Sequence, residues 1–190
     1  TEPVKITNNT SSTHGSAIYQ KGGTLTLSNV EITKNTSSKN GVIYQNGGSM
    51  IVQTGTVIRD NKASGIGGAV YQNGGIFHML GGEITNNAAP TGGGLAQNGA
   101  NAGQMYIYDG KLYGNRSTSS SAGNDVYSAT TASSKKSRMQ LEAASNMGLP
   151  QYNVWRDDAY TGENYGVSDK FMENNERVSL YFSGELEAGT

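Results

Sequence analysis

Ile18-Tyr19-Gln20-Lys21-Gly22-Gly23 returns as Ile43-Tyr44-Gln45-Asn46-Gly47-Gly48, and again as Val70-Tyr71-Gln72-Asn73-Gly74-Gly75. A fourth, shortened copy follows at Leu95-Ala96-Gln97-Asn98-Gly99. Near-identity at spacings of 25 and 27 residues is the mark of a stacked repeat, and that reading constrains every local one.

Working outward from that motif, the other positions fall into columns. Asn9, Asn35, Asn61, Asn87 and Asn115 recur at spacings of 26, 26, 26 and 28. Three residues before each stands Ile6, Ile32, Ile58, Ile84 or Leu112. Two more columns are Leu25, Met50, Phe77, Met105 and Leu27, Val52, Met79, Ile107, and a last one is Ile18, Ile43, Val70, Leu95, Val126.

Inside each unit the apolar residues lie two apart, the period of a strand with one buried face. Gly, Asn and Ser turns separate three such segments per unit. A chain with about three short strands every 26 residues buries their apolar faces by coiling and stacking each strand on its predecessor. The expected fold is therefore all-β, a parallel β-helix with coils about 4.8 Å apart. Leucine-rich repeats share the period but not the leucine spacing or the helix-forming half.

Five coils are expected, over residues 4–23, 24–48, 49–75, 76–104 and 105–137, with a sixth strand at Arg138-Met139-Gln140-Leu141-Glu142. The loops vary most just after the Asn column, as a solenoid that tolerates insertion at one corner predicts. From about Ala143 the repeat stops. The remainder carries the single tryptophan, Trp155, and reads Arg177-Val178-Ser179-Leu180-Tyr181-Phe182 as a further strand. The expected organisation is repeats over 1–142 and a C-terminal segment over 143–190 that caps the last coil, because an open sheet edge invites aggregation.

Composition agrees with strands and tight turns. Glycine supplies 27 of 190 residues and proline 3, and charged residues make up 15% against about 25% in ordinary domains. Cysteine is absent, which removes disulfides and thiolate metal sites. No apolar run reaches the roughly 18 residues a membrane helix needs. Residues 1–141 hold 11 Lys and Arg against 6 Asp and Glu, net +5, while residues 142–190 hold 3 against 9, net −6. The cations are dispersed and not interleaved with aromatics, which argues against nucleic acid as a partner.

Chemistry-bearing positions are few. The Asn column Asn9, Asn35, Asn61, Asn87, Asn115 reads as a structural ladder, each amide bonding to the next coil and to turn backbone. Tyr19, Tyr44, Tyr71 and Tyr127 each follow an inward-facing residue, so alternation turns them outward. Small neighbours (Ala17, Val42, Ala69, Gly94) would leave a flat aromatic strip. Such a strip suits stacking on sugar rings or on a protein partner, or it is a self-stacking ladder that only stabilises the sheet.

The repeat half has Glu2, Glu31, Asp60, Glu83, Asp109 and Asp125, scattered over different columns. Glu31 and Glu83 share one, two coils apart with Val57 between them, so no face gathers the paired carboxylates of glycoside chemistry. Asp157-Asp158 with Glu163 reads as a solvated acidic loop more readily than a cation site. His14 and His78 have no partnered ligand pattern. No catalytic residue, metal or cofactor is implied.

With the columns laid out, Ile-Tyr-Gln-Asn-Gly-Gly and Gly-Gly-Glu-Ile-Thr-Asn-Asn at residues 81–87 resemble the right-handed parallel β-helix repeats of large surface proteins from Gram-positive gut and oral bacteria. The resemblance covers residues 4–142. It implies a secreted, wall-anchored cell-surface location and a non-catalytic adhesin or rigid spacer with a host glycan or surface protein as partner. Two alternatives stand beside it: a polysaccharide-active enzyme, lyase or glycoside hydrolase, or a degenerate relative of one, and an accessory domain of a large surface peptidase.

Overall fold

The computed structural model describes residues 1–97, 103–119, 125–128, 139–141, 153–156, 165–166 and 179–182. Every regular element among them is a strand. The strands stack in parallel as a β-solenoid of about four turns, in which each column of like residues lies in register.

One column pairs Ile6 with Ile32, Ile32 with Ile58, Ile58 with Ile84 and Ile84 with Leu112. A second runs Leu25, Met50, Phe77, Met105, Met139, and a third Ile18, Ile43, Val70, Leu95, Val126. Ile32, Ile58, Ile84, Ile43, Val70, Met50 and Phe77 are wholly buried. They form one continuous apolar cluster along the axis, the burial that offsets the entropy of ordering the coils. A short second sheet runs along another face, through Thr10–Ser11, Thr36–Ser37, Lys62–Ala63, Ala88–Ala89 and Arg116–Ser117.

Sequence alternation predicts three strands per unit, each ended by a turn. The chain instead runs Ile43–Val52, Val70–Thr85 and Met105–Tyr113 as long strands bent at glycine corners, with register shifts at the bends. Coils stack directly backbone on backbone there. A β-carbon on Gly75, at φ 87°, would run into the Gly48 carbonyl of the coil before it, which is why the repeat motif ends in Gly-Gly.

The glutamine of that motif is explained by the same corner. Gln20, Gln45 and Gln72 point inward and are buried. Gln45 Nε2 donates to Gly48 O of its own coil at 3.3 Å and to Ile76 O of the next at 2.9 Å. Gln20 and Gln72 repeat the pattern on Ser49 O at 2.9 Å and Gln104 O at 3.0 Å. Each amide satisfies carbonyls that a bend in the ladder would otherwise leave unpaired.

The asparagine column is a second ladder, and it has a direction. The backbone N–H and Nδ2 of Asn35 both donate to Asn61 Oδ1 at 3.0 Å. Asn61 donates in the same way to Asn87 Oδ1, at 3.1 and 2.9 Å, and Asn87 to Asn115 Oδ1, at 3.0 and 2.9 Å. Each Nδ2 also reaches back one coil, as Asn61 does to Ile32 O at 2.8 Å. Asn115 passes its two donors to Asp125 Oδ1, at 3.0 and 2.7 Å, a buried carboxylate that lies just before Val126 and takes the accepting role of a ladder amide.

Residues 139–141 pair in parallel with 105–107 as the expected sixth strand does. Ser179–Phe182 pairs in parallel with Val126–Ser128, and Asn153–Arg156 pairs with Ser179–Phe182. Tyr165–Gly166 pairs antiparallel with Asn153–Val154; the other residues of the expected C-terminal cap, including Asp157, Asp158 and Glu163, lie outside the described residues.

Candidate binding face

The outward tyrosines do not form an open strip. Tyr44 is 8% exposed and Tyr71 6%, whereas Tyr19 is 52% exposed; Tyr127 is half-buried. Alternation does turn these rings away from the solenoid axis. The loops that follow the short sheet then fold back over them and make a second apolar cluster of Tyr44, Tyr71 and Ala96, with Ile66 and Tyr127 against it.

The loops cover the rings with glycine backbone and with single side chains, His14 and Ile66, that do not recur from coil to coil, so no repeating hydrophobic signal announced it. At Gly41, φ 50°, a β-carbon would sit 2.9 Å from Tyr71 Cβ. The loops themselves are stacked in register: Asn40 N donates to His14 Nδ1 at 3.2 Å, and Ile66 N to Asn40 Oδ1 at 3.0 Å.

Within the cluster Tyr19 stacks on Tyr44 at 5.0 Å between centroids, and Tyr44 meets Tyr71 at 5.5 Å. Burial, reinforced by the neighbouring phenols, pushes the Tyr71 hydroxyl up to about 12. Tyr44 is raised for the same reasons. His14, 4.4 Å from the Tyr44 ring, is held below its ordinary value by burial and by Lys39. These rings behave as core, which favours the self-stacking reading of the column over the binding strip.

The carboxylates are engaged on separate coils. Glu31 takes Arg59 at 2.9 Å, and Arg59 also reaches Asp60 at 2.7 Å. Glu83 accepts the Tyr113 hydroxyl at 3.0 Å. Both glutamates pair in register with Val57, which stands between them. Among the described residues no three His, Asp or Glu side chains gather as a metal-ligating group.

A different aromatic group faces solvent, on the strands Val70–Thr85 and Met105–Tyr113. His78 stacks on Tyr106 at 5.1 Å and 8°, and Tyr108 lies 5.9 Å from each, at 14° and 17°. All three are half-buried, and Ile76 and Leu80 beside His78 are 41% and 43% exposed. Sequence reading missed this patch because only one coil carries each ring, so it does not recur as a column. The signal available was the alternation in Phe77-His78-Met79-Leu80 and Met105-Tyr106-Ile107-Tyr108, which turns the second and fourth residues out.

The same two strands continue into a surface groove of about 440 Å³, lined by Thr54, Gly55, Thr56, Val57, Gly81, Gly82, Glu83, Gly110 and Lys111. Glu83 and Lys111 are register partners. A β-carbon on Gly81 would lie 2.6 Å from Thr54 Oγ1, and one on Gly110 2.6 Å from Met79 Cε, so the missing side chains are what lets these strands pack so closely beneath the groove.

No family model, curated protein or solved structure matches this chain.

Proposed function

We propose that the chain is a rigid, non-catalytic extracellular module of a bacterial surface protein, acting as an adhesin or spacer toward host glycan or protein. The observation that carries this reading is the unbroken stacking of two buried amide ladders and three apolar columns along one axis. Such a core makes a stiff, slowly varying rod whose outer surface is free to differ from coil to coil. Two of the described carboxylates support the same reading: Glu31 is tied to Arg59 and Glu83 to Tyr113, and Val57 separates them, so these two do not face one bond across a cleft.

The test is incubation of the whole chain with pectin, mucin and plant and host polysaccharides, followed by assay of reducing and unsaturated sugar ends. Retention on immobilised mucin or glycan without product release is the expected result. Product formation, above all if calcium-dependent, overturns the non-catalytic reading in favour of a polysaccharide-active enzyme.

A further inference from the structure

We propose that His14 is an acid-sensitive link in the cover of the tyrosine cluster, whose protonation breaks its bond to the loop of the next coil and bares the ring of Tyr44. The device is built into the fold and holds whatever the outer surface binds.

The loops over the rings are tied coil to coil by one recurring bond. In both places a backbone N–H donates to the side chain 26 residues before it, Ile66 N to Asn40 Oδ1 at 3.0 Å and Asn40 N to His14 Nδ1 at 3.2 Å. Only the acceptor differs. An amide oxygen accepts across the whole ordinary pH range, whereas an imidazole nitrogen accepts only while it carries no proton. A backbone N–H cannot turn acceptor in exchange. The bond to Asn40 therefore requires neutral His14 with its hydrogen on Nε2.

Protonation sets two donors against each other and leaves the Asn40 N–H unpaired. The neighbours of the ring decide how readily that happens. From the loop of the next coil Lys39 acts on it, and from the strand Ile43–Val52 the Tyr44 ring lies 4.4 Å away, with Tyr19 stacked on Tyr44 at 5.0 Å. Its own loop, residues 12–17, carries no other titratable side chain. The Tyr44 ring attracts an imidazolium, but burial and the Lys39 ammonium oppose one and hold His14 below its ordinary 6.5. A group depressed in this way stabilises the fold fully above pH 6.5, and the contribution is lost as pH falls through the folded value.

The opening is local. Gly15 N still donates to Gly41 O at 2.8 Å and Lys39 N to Thr13 O at 3.1 Å, so the backbone keeps the loops in register while the imidazole leaves the Tyr44 ring. Tyr71 lies against Gly41 of the next loop, whose own tie to the coil after it, Ile66 N to Asn40 Oδ1, does not titrate. Acid thus uncovers Tyr44 and leaves Tyr71 buried.

A titration of the whole chain from about pH 7.5 to about pH 5, followed by nitrogen NMR of the imidazoles and by hydroxyl-radical footprinting read by mass spectrometry, decides the matter. His14 is expected as the Nε2–H tautomer at the upper pH, protonating below 6.5. Labelling of Tyr44 should rise at least about twofold along that titration, with Tyr71 unchanged. His14→Asn supplies an acceptor that does not titrate, as Asn40 does, and should remove the rise and flatten the thermal midpoint over the same interval. His78→Asn should behave as wild type. The proposal is overturned by an Nδ1–H tautomer, by a His14 pKa at or above 6.5, or by Tyr44 labelling that stays flat while His14 protonates. It is overturned equally by a pH dependence that survives His14→Asn or vanishes in His78→Asn. The first three results are read on the wild-type chain, so they decide even where a variant fails to fold.

Discussion

At the scale of single residues, position in the coil outweighs identity. The residue just before each ladder asparagine is left-handed in every described coil: Asn8, Lys34, Asp60 and Asn86 at φ 59°, 57°, 57° and 55°, and Gly114 at 63°. The ladder itself was legible because its asparagines repeat. Its left-handed neighbour was not, because five coils fill that place with four residue types. Lysine is the worst suited of them, since a Cβ clash penalises left-handed backbone and only Gly, Asn and Asp offset it. Lys34 is exposed, and Lys34→Asn should raise stability by about 1 kcal/mol, measured by urea denaturation. The ladder sets the opposite limit. Asn61→Ala strands the Ile32 carbonyl, the Asn35 N–H and half of the Asn87 acceptor, and should cost about 2 to 4 kcal/mol. A loss below about 0.5 kcal/mol would mean that water replaces the amide without penalty.

At the scale of elements, what could be read in advance was whatever depends on alternation. The inward columns of Ile, Val, Leu and Met are stated by the sequence and found in register. The burial of Tyr44 and Tyr71 depends on where glycine-bearing loops travel after the short sheet, and periodicity within a strand carries no record of that. The tyrosine cluster has a measurable consequence at high pH. A phenol whose folded pKa is about 12 against 10.0 unfolded stabilises the fold fully below pH 10. That contribution is lost as pH rises from about 10 toward 12, because the unfolded chain ionises first. Spectrophotometric titration should show the Tyr71 phenolate appearing well above pH 10, assigned as the component that Tyr71→Phe removes, and the same variant should flatten the fall of the thermal midpoint across that interval. An unchanged slope would mean that the hydroxyl is reached by water in the folded state.

At the scale of the whole molecule, each coil contacts its neighbours alone, and stability accumulates coil by coil. Removing residues 61–86, one unit of 26 residues, joins Asp60 to Asn87 and returns every column to its register. The shortened chain should keep a β-rich far-ultraviolet spectrum and unfold at a lower urea midpoint with a smaller m-value. Removal of 13 residues from the same place should abolish folding, since no column then meets its partner. The charge imbalance between the halves was legible from composition. The solvent-facing patch at His78 was not, because it is a local departure from the repeat, and a repeat is read by what recurs.

Each ladder asparagine donates one Nδ2 hydrogen forward to the next Oδ1 and, from Asn35 on, returns its other Nδ2 hydrogen to a carbonyl of the coil before. The forward Oδ1···H–Nδ2 links from Asn9 through Asn35, Asn61 and Asn87 to Asn115 therefore all point the same way, as peptide units do in a helix. The electropositive pole of that array falls where Asn115 meets Asp125. A carboxylate at this pole is favoured for the same reason that acidic side chains are favoured at the start of a helix. The solenoid thus carries an internal electrical polarity along its length, closed at one end by the buried side chain of Asp125.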